Sequence, residues 1–195
     1  ESEAKLVHIS TDYVFDGSSP VAYKEDDQPN PKSVYGATKL AGEIACLKNC
    51  PESIIIRTAW VYSEFGNNFV KTMLRLMSER DTLSVVNDQV GSPTYAADLA
   101  QVILTILDSN KWESGIYHYS NAGEISWFDF AKDIKAIADK TCEIKGIPAS
   151  SYPTPAERPA YSLLDKSKIK AVYGIEAIDY KVSLRVMMGK LLKSQ

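Results

Sequence analysis

The stretch Leu6-Val7-His8-Ile9-Ser10-Thr11-Asp12-Tyr13-Val14-Phe15-Asp16-Gly17 decides how the chain is read. Its first four residues form a largely apolar, β-branched run of the kind that is buried in a sheet, and polar Ser10, Thr11 and Asp12 follow at once. In an open parallel sheet ligands bind outside the carboxyl ends of the strands, so Thr11 falls where chemistry is done. The bland alternative is that Ser10 and Thr11 cap a turn, with Asp16-Gly17 as a second turn. Further strands are expected at residues 53–58, 83–86 and 116–120. Helical i, i+3, i+4 spacing marks residues 34–49, 68–80, 96–109, 127–140 and 181–193. In the fourth of these, Phe128, Ala131, Ile134 and Ile137 would share a face. Strands alternating with helices imply an α/β protein with a mostly parallel sheet. Prolines 148, 153, 155 and 159 interrupt regular structure through residues 143–165, a polar excursion anchored by Tyr152, Tyr161 and Leu163.

Composition is that of an ordinary folded domain: 195 residues, 45% hydrophobic and 24% charged, which excludes disorder, collagen and a disulfide mini-scaffold. A chain this long can bury about 70% of its unfolded surface in one core. Its 22 basic residues are scattered among 25 acidic ones for a net charge of -3, which argues against nucleic-acid binding. No apolar run approaches a membrane span, and the acidic start Glu1-Ser2-Glu3 is unlike a signal peptide. Cys46, Cys50 and Cys142 form no C-x-x-C pair and read as reduced thiols of a cytoplasmic protein.

The strongest local motif is Tyr35-Gly36-Ala37-Thr38-Lys39 at the start of a helix. A spacing of four puts the phenol and the ammonium on one helical face, and a lysine beside a tyrosine favours the phenolate. Such a pair can deliver and recover a proton near neutral pH. Taken alone, Y-x-x-x-K is common by chance.

Together with the strand and its S-T, this motif resembles the short-chain dehydrogenase/reductase superfamily in its extended, nucleotide-sugar branch. More narrowly, S-T-D-Y-V-F-D-G at 10–17, Y-G-A-T-K-L-A-G-E at 35–43, R-T-A-W-V-Y at 57–62, G-N-N-F at 66–69 and N-D-Q-V-G-S-P-T at 87–94 resemble the dTDP-4-dehydrorhamnose reductase family, collinearly over residues 6–164. The resemblance implies an NAD(P)-binding Rossmann-like, doubly wound parallel sheet with a small C-terminal substrate-binding region. Residues 1–142 would hold the Rossmann-like part interleaved with substrate-binding segments, and 143–195 mainly the substrate-binding region and closing helix.

It implies reduction of the C4 keto group of dTDP-4-dehydro-L-rhamnose by hydride from NADPH or NADH. Tyr35 would be the proton donor. Lys39 would hold the nicotinamide ribose, Ser10 would lie against the cofactor, and Thr11 would hydrogen-bond the substrate carbonyl. Asp12, Tyr13 and Trp60 would line the sugar subsite, while Asn67, Asn68 and Arg158 match positions near the nucleotide diphosphate. An arginine suits a diphosphate because its planar donors make paired, charge-assisted bonds. Helix capping by the asparagines is an equal alternative, as is a core role for Trp60. Asp88 and Gln89 lie in a matching loop without an assigned atom. Partners would be a small-molecule nucleotide sugar and, as in some relatives, a second copy in a homodimer; no cluster supports an interface metal such as Mg.

Two other functions stay open at this point. Dehydratases and epimerases of the superfamily use the same Tyr/Lys pair, but dehydratases follow the threonine with Asp-Glu, and Tyr13 stands where that glutamate would be. A non-catalytic homologue, like the regulatory β-subunit of methionine adenosyltransferase, would not need Thr11, Tyr35 and Lys39 intact.

Other prominent residues are expected to be structural. His8 and His118 sit in strand runs as satisfied core or edge histidines, Met73, Met77, Met187 and Met188 pack in a core, and Lys24-Glu25-Asp26-Asp27 is a solvated loop. Nowhere is there a G-x-G-x-x-G or G-x-x-G-x-x-G turn to cradle a pyrophosphate, so the choice between NAD and NADP is not legible. The expectation is a C-terminal two-thirds of an enzyme, inactive by itself, with apolar sheet edge exposed and a tendency to self-associate.

Overall fold

The computed structural model describes residues 4–152 and 158–193. Pro153 and Pro155, and the acidic start at Glu1, lie outside them. The elements run β1 (Val7–Thr11), α1 (Val34–Asn49), β2 (Ile54–Thr58), β3 (Val61–Tyr62), α2 (Phe69–Glu79), β4 (Thr82–Val86), β5 (Val90–Gly91), β6 (Thr94–Tyr95), α3 (Ala96–Asp108), β7 (Gly115–His118), β8 (Ile125–Ser126), α4 (Trp127–Ile137), β9 (Glu143–Ile147), α5 (Ser167–Tyr173) and α6 (Tyr180–Lys193).

The α/β expectation holds. Strands β1, β2 and β7 form a parallel sheet in that order, while β3 pairs parallel with β6 and β4 with β9; the short pair β5 and β8 is antiparallel. Strand β9 is a correction: the prolines do not interrupt residues 143–147, which pair residue for residue with β4 from Thr82↔Glu143 to Val86↔Ile147. Its half-exposed face hid it from any alternation test, because parallel pairing to β4 rather than burial holds it.

Helix boundaries follow local chemistry. Ser33 caps α1 by accepting from the Gly36 amide, and Cys50-Pro51 ends it. Ser126 caps α4 through the Asp129 amide. That helix stops at Ile137 rather than 140 because Asp139 turns left-handed at φ 49°. Its buried stripe is Phe130, Ala131 and Ile134; Phe128 is only half-buried, with the Lys132 ammonium 4.6 Å from its ring centre.

Among the described residues three apolar cores result, the smallest of them Val14, Phe15, Tyr23, Ala59 and Leu164 with Leu40 of α1 packed against it. Ile54, Ile56, Tyr117 and Tyr119 of the main sheet pack on Leu99, Val102 and Ile106 of α3. Val70, Met73 and Met77 of α2, Phe130 and Ile134 of α4, and Leu184, Met187 and Met188 of α6 make the third, so all four methionines are core residues as expected.

The opposite face of the main sheet buries polar side chains beside the fully buried Ile55. Ser10, Arg57 and His118 stand in register across β1, β2 and β7, and are 3%, 1% and 0% exposed. From α1 the equally buried Glu43 meets Arg57 in a two-pronged pair, accepting from Nε at 2.9 Å and Nη2 at 2.7 Å. The guanidinium also lies 5.0 Å from the Phe15 ring centre, and its Nη1 donates to the Glu25 carbonyl at 3.4 Å. Glu25 is thus not part of a solvated loop: its carboxylate accepts the His118 amide at 3.0 Å, and burial raises its pKa. Lys24, Asp26 and Asp27 are exposed as expected. The histidines are only partly satisfied. His118 Nδ1 donates to the Tyr23 carbonyl at 3.1 Å, but its Nε2 and that of His8 are buried without partners. Burial, seconded by Arg57, pushes the His118 pKa down to about 3, so it is neutral at physiological pH.

Leaving one member of such a pair alone and charged costs about 3–5 kcal/mol, whereas replacing both by apolar groups is often nearly neutral. Arg57→Met should therefore lower unfolding free energy by about that amount in urea titrations. Arg57→Met with Glu43→Leu should recover most of it; equal losses in the single and double variants would show that the pair is not what is being measured.

Candidate active site

Thr11 closes β1 and is 5% exposed. Its hydroxyl donates to Asp12 Oδ1 at 3.0 Å and accepts the Tyr13 amide at 3.3 Å, capping a single 3-10 turn over Asp12–Val14. The turn-capping reading and the strand-end reading of Thr11 are therefore both true. That turn lays the Tyr13 backbone on the first turn of α1. A Cβ on Gly36 would stand 2.1 Å from the Tyr13 carbonyl oxygen, so only glycine permits the approach. The rings of Tyr13 and Tyr35 then meet edge to face at 5.6 Å, with Tyr35 53% exposed. One turn on, Lys39 Nζ donates to the Ile9 carbonyl at 2.5 Å, which leaves two of its three protons for other acceptors. Thr11, Asp12, Tyr13, Tyr35 and Lys39 are brought together at the carboxyl end of β1.

Asp12 is 2% exposed, and burial raises its pKa to about 6 against the opposing effect of the Ser162 and Thr11 hydroxyls. Its Oδ2 and the Ser10 hydroxyl are buried and make no hydrogen bond of normal geometry. Ser162 is brought in by the segment after residue 158. Gly17 packs on Pro159, where a Cβ would come within 2.6 Å, and Val90 exchanges backbone bonds with Ala160 at 2.8 Å and Ser162 at 2.9 Å. This segment carries exposed Arg158 close enough to Tyr13 for the guanidinium to oppose the rise in phenol pKa caused by burial and by Asp12.

Trp60 follows β2 with a left-handed backbone, φ 48°. Its indole is half-buried and stacked on Trp127 with ring centres 3.5 Å apart. A Cβ on Gly91 would lie 2.9 Å from the Trp60 ring and 2.8 Å from the Ser162 hydroxyl, which ties Trp60 to the Asp12 neighbourhood. Trp60 is thus covered by Trp127 on one face and also packs against the small core of Val14, Phe15, Tyr23, Ala59 and Leu164, so its core role is real.

The asparagines fare differently. Asn68 Oδ1 accepts the Lys71 amide at 3.2 Å and Nδ2 donates to the Ser63 carbonyl at 2.6 Å, so this side chain is spent on capping α2. Asn67 is exposed at the mouth of a cleft of about 350 Å³ between α2 and α6, beside Lys71, Arg75 and Lys140. Among the described residues neither asparagine shares a hydrogen bond or ring contact with Thr11, Tyr13 or Tyr35. Gln89 is buried with Oε1 unpaired, whereas exposed Asp88 accepts the Ala149 amide at 2.8 and 3.0 Å.

Sequence reasoning missed Ser162, Gly91 and Trp127, whose roles arise from long-range contacts without a local signal. Gly36 was within reach, because a glycine directly after the tyrosine of Y-x-x-x-K marks a close backbone approach. The cysteines are free, with Cys142 buried and Cys46 and Cys50 half-buried. Among the described residues no group of three or more His, Cys, Asp or Glu could hold a metal, and no helix is long and apolar enough to cross a membrane. A reduced nicotinamide would fit what is present: an exposed phenol, an ammonium with free protons and the unpaired Ser10 hydroxyl.

The chain is 45% identical over 190 residues to the dTDP-4-dehydrorhamnose reductase of Aggregatibacter actinomycetemcomitans, covering 92% of this chain and 65% of that protein. The crystal structure of a dTDP-4-dehydrorhamnose reductase from Clostridium acetobutylicum superposes with TM-score 0.93 at 41% identity, over 97% of this chain and 66% of that one. That of the Bacillus anthracis reductase in complex with NADP gives 0.90 at 40% identity, over 96% and 66%. The chain spans about two thirds of the length of these relatives and aligns with their C-terminal part. The family model for the RmlD substrate binding domain matches residues 1–193, nearly end to end, and with that agreement in sequence and in fold the chain belongs to the RmlD substrate-binding-domain family.

Proposed function

We propose that this chain supplies the proton donor and the sugar-facing wall of a nicotinamide-dependent reductase that converts dTDP-4-dehydro-L-rhamnose to dTDP-L-rhamnose. One observation carries this reading: the half-exposed Tyr35 ring meets the Tyr13 ring two residues past the end of β1, with Lys39 one turn behind it pinned to the β1 carbonyl of Ile9. The names of the relatives supply the substrate, and the NADP complex of the Bacillus anthracis protein supplies the cofactor class.

A reduced nicotinamide, when bound, supplies hydride to the sugar C4. Tyr35 gives its phenolic proton to the C4 oxygen as charge develops there, and Lys39 orients the ribose with the protons that Ile9 does not use. Ser10 offers its unpaired hydroxyl to the same cofactor. Asp12, Tyr13 and the half-buried Trp60 position the sugar, and Arg158 reaches the diphosphate from the loop pinned on Gly17. Asn67 borders a basic cleft suited to an anionic group, while Asn68 serves by capping the helix beside it. Dehydration would need a second carboxylate beside Asp12; position 13 holds the tyrosine that packs on Tyr35. The three free thiols suit a cytoplasmic enzyme.

The test is oxidation of NADPH or NADH by the full-length protein with dTDP-4-dehydro-L-rhamnose, and no oxidation of either would remove this reading. Tyr35→Phe should lower kcat about 10²–10⁴-fold with the circular dichroism spectrum unchanged. Lys39→Met should raise KM for the cofactor as well as lower kcat; an unchanged cofactor KM would take the ribose away from Lys39.

A further inference from the structure

Thr11 has one hydroxyl proton, and the structure commits it to Asp12 Oδ1. A ketone oxygen can only accept a hydrogen bond, so while Asp12 is ionised Thr11 has nothing to give the substrate. The remaining Asp12 oxygen is equally informative. Oδ2 is buried without a hydrogen bond of normal geometry, the Ser162 hydroxyl being near enough to the carboxyl group only to offset part of the cost of its charge, which makes a costly place for half a carboxylate and a tolerable one for the carbonyl oxygen of a neutral acid.

Resting on the reductase reading, we propose that Asp12 and Thr11 form a second proton path to the sugar oxygen served by Tyr35, with Asp12 as the acid and Thr11 as the relay. In the neutral acid the proton sits on Oδ1 and is donated to Thr11 Oγ1 across the same 3.0 Å contact, which frees the Thr11 proton for the substrate. Once hydride has reached C4, the C4 oxygen takes the Thr11 proton. The Thr11 O–H bond breaks, a sugar O–H bond forms, and the Asp12 O–H bond breaks as Thr11 regains its proton. A carboxylate remains and is reprotonated by water between turnovers. The electron pair comes from the nicotinamide, as in the reaction proposed above.

The surroundings suit an acid that holds its proton. Asp12 faces Thr11 and Tyr13 of its own segment and the Ser162 hydroxyl of the loop after residue 158. Tyr35 from α1 and Arg158 act on Tyr13, and among the described residues no cation forms an ion pair with the carboxyl group itself. Burial outweighs the stabilising hydroxyls and brings the pKa to about 6, within reach of neutral pH.

In the full-length protein with Tyr35→Phe, the residual reduction rate should rise on the order of tenfold between about pH 7.5 and about pH 5.5, as Asp12 gains its proton. Adding Asp12→Asn should flatten that rise. A residual rate that does not depend on pH, or that depends on it equally with and without Asp12→Asn, overturns the relay. Absence of reduction by the parent protein would instead overturn the reductase reading.

A second measurement needs no turnover. The folded pKa of Asp12 lies above its unfolded value, so its burial costs stability progressively as pH rises from about 4 through about 6. The Tm of Asp12→Asn relative to the parent chain should therefore climb from about pH 4.5 to about pH 8. A gap constant across that range would mean that Asp12 does not hold its proton in the fold, and the relay falls with it.

Discussion

The bidentate contact of Arg57 with Glu43 governs how the rest of the chain is arranged. Helix α1 presents little apolar surface to the sheet, and only Gly36 and Glu43 of its residues are buried. Hydrophobic packing alone would therefore set its rotation poorly. Three polar or steric contacts set it instead: Gly36 against the Tyr13 carbonyl, Lys39 on the Ile9 carbonyl and Glu43 on Arg57. A bidentate carboxylate–guanidinium contact tolerates little rotation, so it transmits the position of β2 to a helix whose other end carries Tyr35. Arg57 also holds the Glu25 carbonyl and faces Phe15, which packs on Tyr23 at 4.2 Å. The loop between β1 and α1 is thereby tied to the same point. Net stabilisation by a buried pair is small, and its value here is geometric.

What was legible in the sequence, and what was not, divides along the range of the interactions. Strands β1, β2 and β7 and helices α1, α2 and α3 come out within a residue or two, because hydrophobic period and caps such as Ser33 and Asn68 are local. Thr11 at a strand end and the Tyr35/Lys39 pair were equally readable, since each is a matter of spacing within one element. Strand β9 was not, because Glu143, Lys145 and Gly146 are exposed and only pairing with β4 makes them a strand. Glu25 and His118 were misjudged for a related reason: they answer to Arg57, which is 32 residues from Glu25 in the chain. Ser162 lies far from Asp12 in sequence, and no composition or period could have placed it there.

Several features near β1 depart from what packing alone would choose. Trp60 adopts a left-handed backbone, and Ser10, Asp12 and Gln89 bury polar atoms without partners. Each such feature costs of order 1–3 kcal/mol and persists only where the surroundings over-determine it. Whereas the unpaired atoms of His8, Ser53, Tyr62 and His118 sit on other segments, Trp60 and Asp12 adjoin through Gly91 and Ser162. The stacked Trp60–Trp127 pair, continued through Phe69 and Phe130 into the α2–α4–α6 core, is the kind of rigid backing that can hold them.

The two faces of the main sheet divide the work between them. On the α3 side, Ile54, Ile56, Tyr117 and Tyr119 do the conventional work of a core. On the α1 side, Ser10, Arg57 and His118 give up apolar burial in favour of directed contacts. Hydrophobic contact is nondirectional and would leave α1 free to turn, whereas a hydrogen-bonded pair fixes angle as well as distance. A helix whose first turn sets the Tyr35 ring edge to face with Tyr13 needs angle more than adhesion. The α3 side contributes nondirectional apolar contact, and the directed contacts that orient Tyr35 and Lys39 come from the α1 side.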